Sequence, residues 1–559
     1  MLKKNTVGRE FTTGEQLSNI KKLSAIMPSA SRARTISSLE ALRRLIETST
    51  QIAEDMASVT EQFRTAGMRG LLVSNKLKDN EVYIKSLFEK CSDLVIRQYN
   101  IANNPKYSIM LAYIDGLVKH ARIAESVIEQ LMTNLAPADH TDNPVNKETI
   151  QYLLGIRPED MYKDMGKAAE AILNGSLALF INGENTALTI SFKDPPGRNV
   201  EEPTTEVTVR GPKEGFTEAL RTNISLLRKR IKNVNLKTEA MVIGKQTKTD
   251  IVICYIANIA SNRIVNEVRR RLAKIDIEAV LDSNYIEEYI QDSPVFFFPT
   301  IFRTEKPDVV AGKLLEGRVA VIVDGTPAVL TVPCLFVEFL QVSEDYYLKV
   351  IPATLNRWFR FLSFFITITL PGVYTALSSF HQELIPDDLV PTMIKARTGV
   401  PFSTVLACFG MLFVYEVLRE AGVRMPRVIG SAVSIVGALV LGQAAVEAGL
   451  VATPTVVVIG FTAITSLTVS SPELNMSLIL PRFIFLILGG TLGLLGITNG
   501  ILIFVMIMIS ERSFGVPYMG PLAPLAVDEL PDVVVRAPLT TMFRRPKLIT
   551  WRQSIRRKI

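Results

Sequence analysis

The chain has 559 residues, 48% of them apolar, with a mean hydropathy of +0.24 and a formal net charge of +7. It is too long for one ordinary domain and too apolar for an ordinary soluble protein. Four scattered cysteines (Cys91, Cys254, Cys334 and Cys408) show no paired or metal-ligand spacing, which argues against a disulfide scaffold and a zinc site and fits a reducing compartment.

The first residues, MLKKNTVGREFTTGEQ, lack the apolar core of a signal peptide, so the first 350 residues are expected to stay in the cytosol. Residues 1–79 are expected to form a helical extension. From 36 to 63, Leu39, Leu42, Leu45, Ile46, Ile52, Met56, Val59 and Phe63 recur at helical spacing, with Thr48 and Ser49 interrupting a strict heptad.

An internal repeat follows. LAYIDGLVKHARIAESVIEQLM from Leu111 resembles ICYIANIASNRIVNEVRRRL from Ile253, and NGSLALFINGENTALTIS from Asn174 resembles EGRVAVIVDGTPAVLTVP from Glu316. Tyr113 and Tyr255, Gly175 and Gly317, and Gly183 and Gly325 all stand 142 positions apart. The second block predicts a β-hairpin of alternating strands, LALFI and VAVIV, turning at Asn182-Gly183 or Asp324-Gly325, dipeptides that accept positive φ in tight turns. The first block predicts a strand and then an amphipathic helix through Ile264, Val268 and Leu272. Two related α/β subdomains result, over 80–192 and 234–350. Residues 193–233 join them as a polar, Pro- and Gly-rich linker and a helix striped by Phe216, Leu220, Ile224, Leu227 and Ile231. Arg228, Lys229, Arg230 and Lys232 end that helix, as a core-packing helix with cations at its C-terminus or as a surface for lipid or a partner.

Five uncharged stretches then follow, at 361–380, 398–415, 428–446, 448–472 and 483–510. Each approaches the roughly 20 residues that cross a bilayer core of about 30 Å. The expected fold class is therefore α+β: a two-subdomain α/β cytosolic region with an internal repeat, then an all-α polytopic membrane domain over 351–512. Residues 513–559 form a basic cytosolic tail. Its last 27 residues hold Arg536, Arg544, Arg545, Lys547, Arg552, Arg556, Arg557 and Lys558 with no acid, which suits an anionic leaflet; no aromatic platform accompanies them to suggest nucleic acid. Five spans place this tail on the wrong side of the membrane from Arg357 and Arg360, so an even effective count is expected. Either 483–510 is a re-entrant pair rather than a tilted helix, or 329–337 dips into the bilayer.

No catalytic set emerges. VIGKQTKTD around Gly244 lacks the first glycine and the hydroxyl of a phosphate loop, no dinucleotide or nucleophile-elbow pattern occurs, and His120, His140 and His381 stand far apart. The reading is of a non-enzyme without cofactor or metal. The anomaly is FVYEVLREAGVRMPRVIG, where Glu416, Glu420, Arg424 and Arg427 recur at helical spacing with Arg419 beside them, between two apolar runs. A charged face there requires water, a counter-charge or headgroups. Two readings stand: an interfacial helix end closed by Gly422 and Pro426, or rings of charge lining a water path in an oligomer.

Several long segments carry a resemblance: VEEPTTEVTVRGPKEGFTEALRTNISLLRKRIK, TEKPDVVAGKLLEGRVAVIVDGTP, SEDYY, REAGVRMPRVIGSAVSIVGALVLGQAAVEAGLV and SFGVPYMGPLAPL. From about residue 80 to 546 the chain resembles the A-subunit family of bacterial spore germinant receptors, the GerA family. The resemblance implies a multi-pass protein of the spore inner membrane that works with a transporter-like B subunit and a lipoprotein C subunit. It also implies self-association into a nutrient-responsive ion channel, with Glu416, Arg419, Glu420, Val423 and Arg424 as pore or gate residues and nutrient recognition mainly on the B partner. A related branch, the stage V sporulation proteins, implies a channel without direct nutrient sensing; a non-conducting scaffold or signal relay is a further alternative. SSPELNMSLILPRF departs from the family pattern by lacking a basic residue before Arg482.

Overall fold

The computed structural model describes residues 71–550, apart from 101–107, 119–122, 135–146, 193–201, 204–205, 207–209, 295, 425–439, 528, 543–544 and 547–548. The expected helix at 36–63, most of the stretch 428–446, and His120, His140 and Arg427 lie outside these residues.

Two five-stranded antiparallel sheets build the N-terminal half. The first comprises β1 (Leu94–Asn100), β2 (Ser108–Ile114), β3 (Met161–Tyr162), β4 (Ser176–Ile181) and β5 (Ala187–Ser191), in the order β1-β2-β4-β5-β3. The second repeats that order with β6 (Leu236–Ile243), β7 (Thr249–Ile256), β8 (Phe302–Thr304), β9 (Val319–Val323) and β10 (Val329–Val332), as β6-β7-β9-β10-β8. Helices α1 (Leu77–Leu87) and α2 (Met165–Leu173) pack on the first sheet; α3 (Leu220–Arg230), α4 (Asn262–Leu272), α5 (Ser283–Ile290) and α6 (Pro307–Leu315) pack on the second. The offset of 142 holds from Leu94 and Leu236, which open β1 and β6, to Met165 and Pro307, which open α2 and α6.

The structure refines three expectations here. Strands β4 and β9, expected to alternate, are buried at every position because helices and loops cover both faces of each sheet. The helix assigned to the linker, α3, is the counterpart of α1 and buries Leu220, Ile224, Leu226 and Leu227 in the second core, as the core-packing reading expects. Residues 329–332 form β10, paired with β8 and β9, so they do not dip into a membrane.

The hairpin glycines have the expected positive φ, +90° at Gly183 and +88° at Gly325. The turns are wider than two residues, since Phe180 pairs with Ala187 and Val321 with Leu330. A docking contact accounts for the extra length. Gly183 N donates to Asn75 O and Gly325 N to Glu218 O, both at 2.8 Å, and Asp324 Oδ1 accepts from Leu220 N at 3.0 Å. Each turn thereby clasps the entry to the first helix of its own repeat.

Arg228 joins the two subdomains. Fully buried at the end of α3, its Nε and Nη2 donate to Asp93 of the first subdomain at 2.7 and 2.9 Å, and Thr238 Oγ1 of β6 donates to the same carboxylate at 2.8 Å. The cation that suits a helix C-terminus thus also fixes the angle between the repeats.

The C-terminal half is helical: α7 (Val350–Phe380), α8 (Thr404–Arg424), α9 (Thr453–Leu467), the short α10 (Pro472–Ser477) and α11 (Ile479–Ser510). Two segments, Val350–Phe380 and Pro472–Ser510, are long and apolar enough to cross a membrane. The expected stretches differ in detail. The first helix starts at Val350, ahead of residue 361. The second starts at Thr404 and continues through the charges to Arg424. Helix α9 has 15 residues, about 22 Å, in place of the apolar run 448–472.

The last stretch folds back on itself. Gly493, inside α11, has φ +62° and ψ −147°, a conformation reserved for glycine, and a Cβ there would stand 2.7 Å from the His381 ring. Beyond it Gly500 lies against Leu488 and Phe485, and the Phe485 and Phe504 rings are 6.2 Å apart, where a straight helix separates those two positions by about 28 Å. The arm 479–492 runs parallel to α7, with Gly489 so close to Gly372 that either Cβ would collide; the arm 494–510 returns, bringing Phe504 to Phe364 at 6.5 Å. The segment 483–510 is thus a folded-back pair of helical arms and not one straight helix.

After the return, β11 (Arg512–Ser513) and β12 (Val516–Pro517) lead into a strap across the second subdomain, where Tyr518 meets Phe336 at 6.2 Å and Ile549 enters the core. Asp93→Ala, which strands Arg228 without its counter-charge, is expected to cost about 3–5 kcal/mol. Asp115→Ala, which removes a partner of the exposed Arg221, is expected to cost under about 1 kcal/mol. Thermal unfolding of the full chain checks the ranking.

Candidate functional site

The charged stretch forms the last turns of α8, and its residues do not share one fate. A step of four along a helix drifts about 40°, so Arg424 points about 80° away from Glu416. Glu416 and Arg419 turn inward and form an ion pair at 2.9 Å; Glu420 and Arg424 form a separate exposed pair at 2.6 Å. The expectation of a single charged face is corrected accordingly. Val423 occupies the same final turn.

The partner of Glu416 is Arg482 of α11, whose Nη1 donates to Glu416 Oε1 at 2.7 Å. Arg482 is fully buried and is the sole charge between residues 474 and 510. Its Nε donates to the Thr367 carbonyl of α7 at 3.2 Å. Four residues after Thr367 comes Pro371, which has no N–H, so that carbonyl lacks its helical donor and the guanidinium supplies one. The same layer continues into α9, with Thr367 Oγ1 on Thr465 Oγ1 at 3.0 Å and Tyr415 Oη on Ser466 Oγ at 2.8 Å. Four helices of an otherwise apolar assembly therefore meet at one polar level. Sequence reasoning missed Arg482 as part of the site. A single arginine in an apolar run, with a proline in another, was the available signal.

A second charged centre joins the helical half to the sheets. Asp345, 1% exposed, receives Arg357 Nε at 3.3 Å and both Arg360 Nη atoms. Arg357 also reaches the Asp532 carbonyl in the C-terminal strap, Tyr346 Oη donates to the Asp532 carboxylate at 3.1 Å, and Arg536 Nε donates to the Asp345 carbonyl at 3.1 Å. Arg357 and Arg360, expected as basic flanks of the first span, are buried connectors. Of the tail's basic residues, Arg536 is spent on this joint and Arg545 Nε donates to the Leu315 carbonyl at 2.8 Å. Arg544, Lys547, Arg552, Arg556, Arg557 and Lys558 lie outside the described residues.

Nearby, Glu338 accepts from Arg318 Nη2 at 2.6 Å and from Lys313. Burial alone would raise its pKa, but these two cations overcome it and hold the carboxyl below its usual range. Among the described residues no group of His, Cys, Asp or Glu is placed to hold a metal ion.

Comparison with known proteins gives consistent matches over most of the chain. A family model described as Bacillus/Clostridium GerA spore germination protein matches residues 82–548. Spore germination protein KA of Bacillus subtilis is 42% identical, over 87% of this chain and 89% of its own. Stage V sporulation protein AF of the same organism is 30% identical over 85% and 96%. The N-terminal domain of the A subunit of the Bacillus megaterium spore germinant receptor GerK3 is 35% identical and covers 48% of this chain and 98% of that one, with a TM-score of 0.37.

The geometry separates the candidate charges by consequence. Glu416→Ala, which leaves the buried Arg482 unpaired, is expected to cost about 3–5 kcal/mol. Glu420→Ala, on the exposed pair, is expected to cost no more than about 0.5 kcal/mol. Thermal unfolding of the full chain in detergent distinguishes them.

Proposed function

Since this chain belongs to the GerA family of Bacillus and Clostridium spore germination proteins, we propose that it is the membrane subunit of a nutrient-responsive germinant receptor in the spore inner membrane, oligomerising to form a ligand-gated ion channel. The sheets and the strap face the cytosol, and the helical half crosses the bilayer several times. A transporter-like B subunit, which takes up the nutrient signal, and a lipoprotein C subunit complete the receptor. The basic tail meets anionic lipid. No catalytic step is assigned.

One observation carries the channel reading: α8 ends in an exposed Glu420–Arg424 pair directly beyond the buried Glu416–Arg482 bond. In a ring of copies, Glu420, Val423 and Arg424 line the mouth of the path, while Glu416 and Arg419 anchor the helix that carries them. Nutrient binding opens the path only in so far as it favours one arrangement of that anchor over another.

The inward pairing of Glu416 and Arg419 also favours a second reading. If those charges serve packing alone, the chain is a non-conducting scaffold or relay. The stage V sporulation branch is a further alternative, supported by the likeness to that relative.

The test is potassium and sodium flux through the purified protein in liposomes, alone and with its B and C partners, for wild type, Val423→Ala and Glu420→Gln. Nutrient-dependent flux altered by these substitutions, in protein that still folds and assembles, is the expected result. Intact complexes without flux under nutrient contradict the channel and leave the scaffold.

A further inference from the structure

Helix α7 is longer than a bilayer core is thick. Its 31 residues extend about 46 Å, against a core of about 30 Å. The uncharged run 361–380 is long enough to fill that core, and Arg357 and Arg360, just before it, are held by Asp345 on the sheet side. Residues 350–360 therefore stand outside the core.

One face of α7 crosses that boundary uncovered. Ile351, Leu355, Trp358, Leu362 and Phe365 are exposed, while Ala353, Arg357, Arg360 and Phe364 on the opposite side are buried. The exposed positions are spaced by four, three, four and three residues, the 3.5-residue period of a coiled-coil seam. Val534 of the strap, also exposed, adjoins the seam, since its carbonyl accepts from Trp358 Nε1 at 2.8 Å.

Lipid can cover only the lower part of this seam. Trp358 lies about 4 Å above residue 361 along the helix axis, within a headgroup layer of about 5–7 Å, whereas Leu355 lies about 9 Å above it and Ile351 about 15 Å. At that height Ile351 is 73% exposed. Acyl chains do not reach it. A second helix does, and the seam suits a copy of itself. Copies inserted in one direction are related by rotation about the membrane normal, which sets their α7 helices parallel. Parallel, in-register pairing is what the 3.5-residue period serves, and no charge on the seam repels its counterpart, because the charged residues between 350 and 365 are Arg357 and Arg360, which face Asp345.

We propose that a second copy of this chain docks on this seam, α7 against α7 from Ile351 to Phe365. This names the contact through which the proposed oligomer assembles; it rests on the reading that α7 enters the bilayer and holds whether or not the assembly conducts ions. Trp358, in the middle of the seam with its N–H satisfied by Val534, presents an apolar ring to the partner copy.

Oxidative cross-linking of the full chain in liposomes tests this, with Ile351→Cys, Leu355→Cys and Asn356→Cys made one at a time and wild type as the control for the native cysteines. Asn356 is also exposed but lies about 100° around the helix from Leu355. Disulfide-linked dimers are expected with Ile351→Cys and Leu355→Cys at least about tenfold faster than with Asn356→Cys, because only the seam brings two copies within disulfide reach. Adding Ile351→Glu to Leu355→Cys, which sets like charges across the seam, is expected to slow its cross-linking while thermal unfolding stays unchanged. Equal cross-linking at 355 and 356, or none at either, overturns the docking. So does a seam position that is shielded from a membrane-impermeant maleimide without cross-linking, since lipid or another subunit then covers it. Labelling of Ile503→Cys, at an exposed position of α11, by that maleimide overturns the membrane reading and the docking with it, and no cross-link enters that readout.

Discussion

The reversal at Gly493 decides where every later residue can go. A chain that continued straight there would carry the last 60 or so residues away from the sheets. Because it doubles back, the strap reaches Phe336, Asp345 and Arg357 and the core of the second subdomain. The reversal depends on small residues at a few points. Gly493 adopts a backbone conformation open only to glycine, and Gly372 and Gly489 let α7 and the descending arm touch backbone to backbone.

Arg482 and Asp345 do for polar groups what the glycines do for shape. Pro371 deprives one carbonyl of its donor in the middle of an apolar helix, and Arg482 restores it while tying α7 and α11 to Glu416 of α8. Asp345 gathers Arg357 and Arg360 of α7 and the backbone end of the Arg536 contact. Loss of Glu416 strands the buried Arg482, and loss of Asp345 strands the buried Arg360. The folded-back arms of α11 are tied to the second subdomain at two points, through the strap and through α10.

The repeat and its strands were legible in the sequence because both copies preserve residue spacing and turn glycines, and antiparallel pairing follows directly from them. The apolar runs were legible, but the ends of the helices that hold them were not. Hydropathy does not register where α8 begins or that α9 is short, and the helical continuation to Arg424 appears only as an anomaly. The charged face was half legible. Helical spacing predicted that Glu416 and Arg424 neighbour one another, but which charge turns inward depends on Arg482, 66 residues later. The expected glycine turns had the right φ and the wrong width, since their extra residues serve contacts with α1 and α3 that no local pattern encodes.

The doubling back is tested most directly by pairing Leu488→Cys with Gly500→Cys in the full chain and following disulfide formation by peptide mass spectrometry. In this structure Gly500 would place a Cβ 2.9 Å from the Leu488 side chain. Rapid cross-linking of 488 to 500 is the predicted result. In a continuous helix these positions lie about 18 Å apart, beyond disulfide reach, so a folded protein that fails to cross-link contradicts the account.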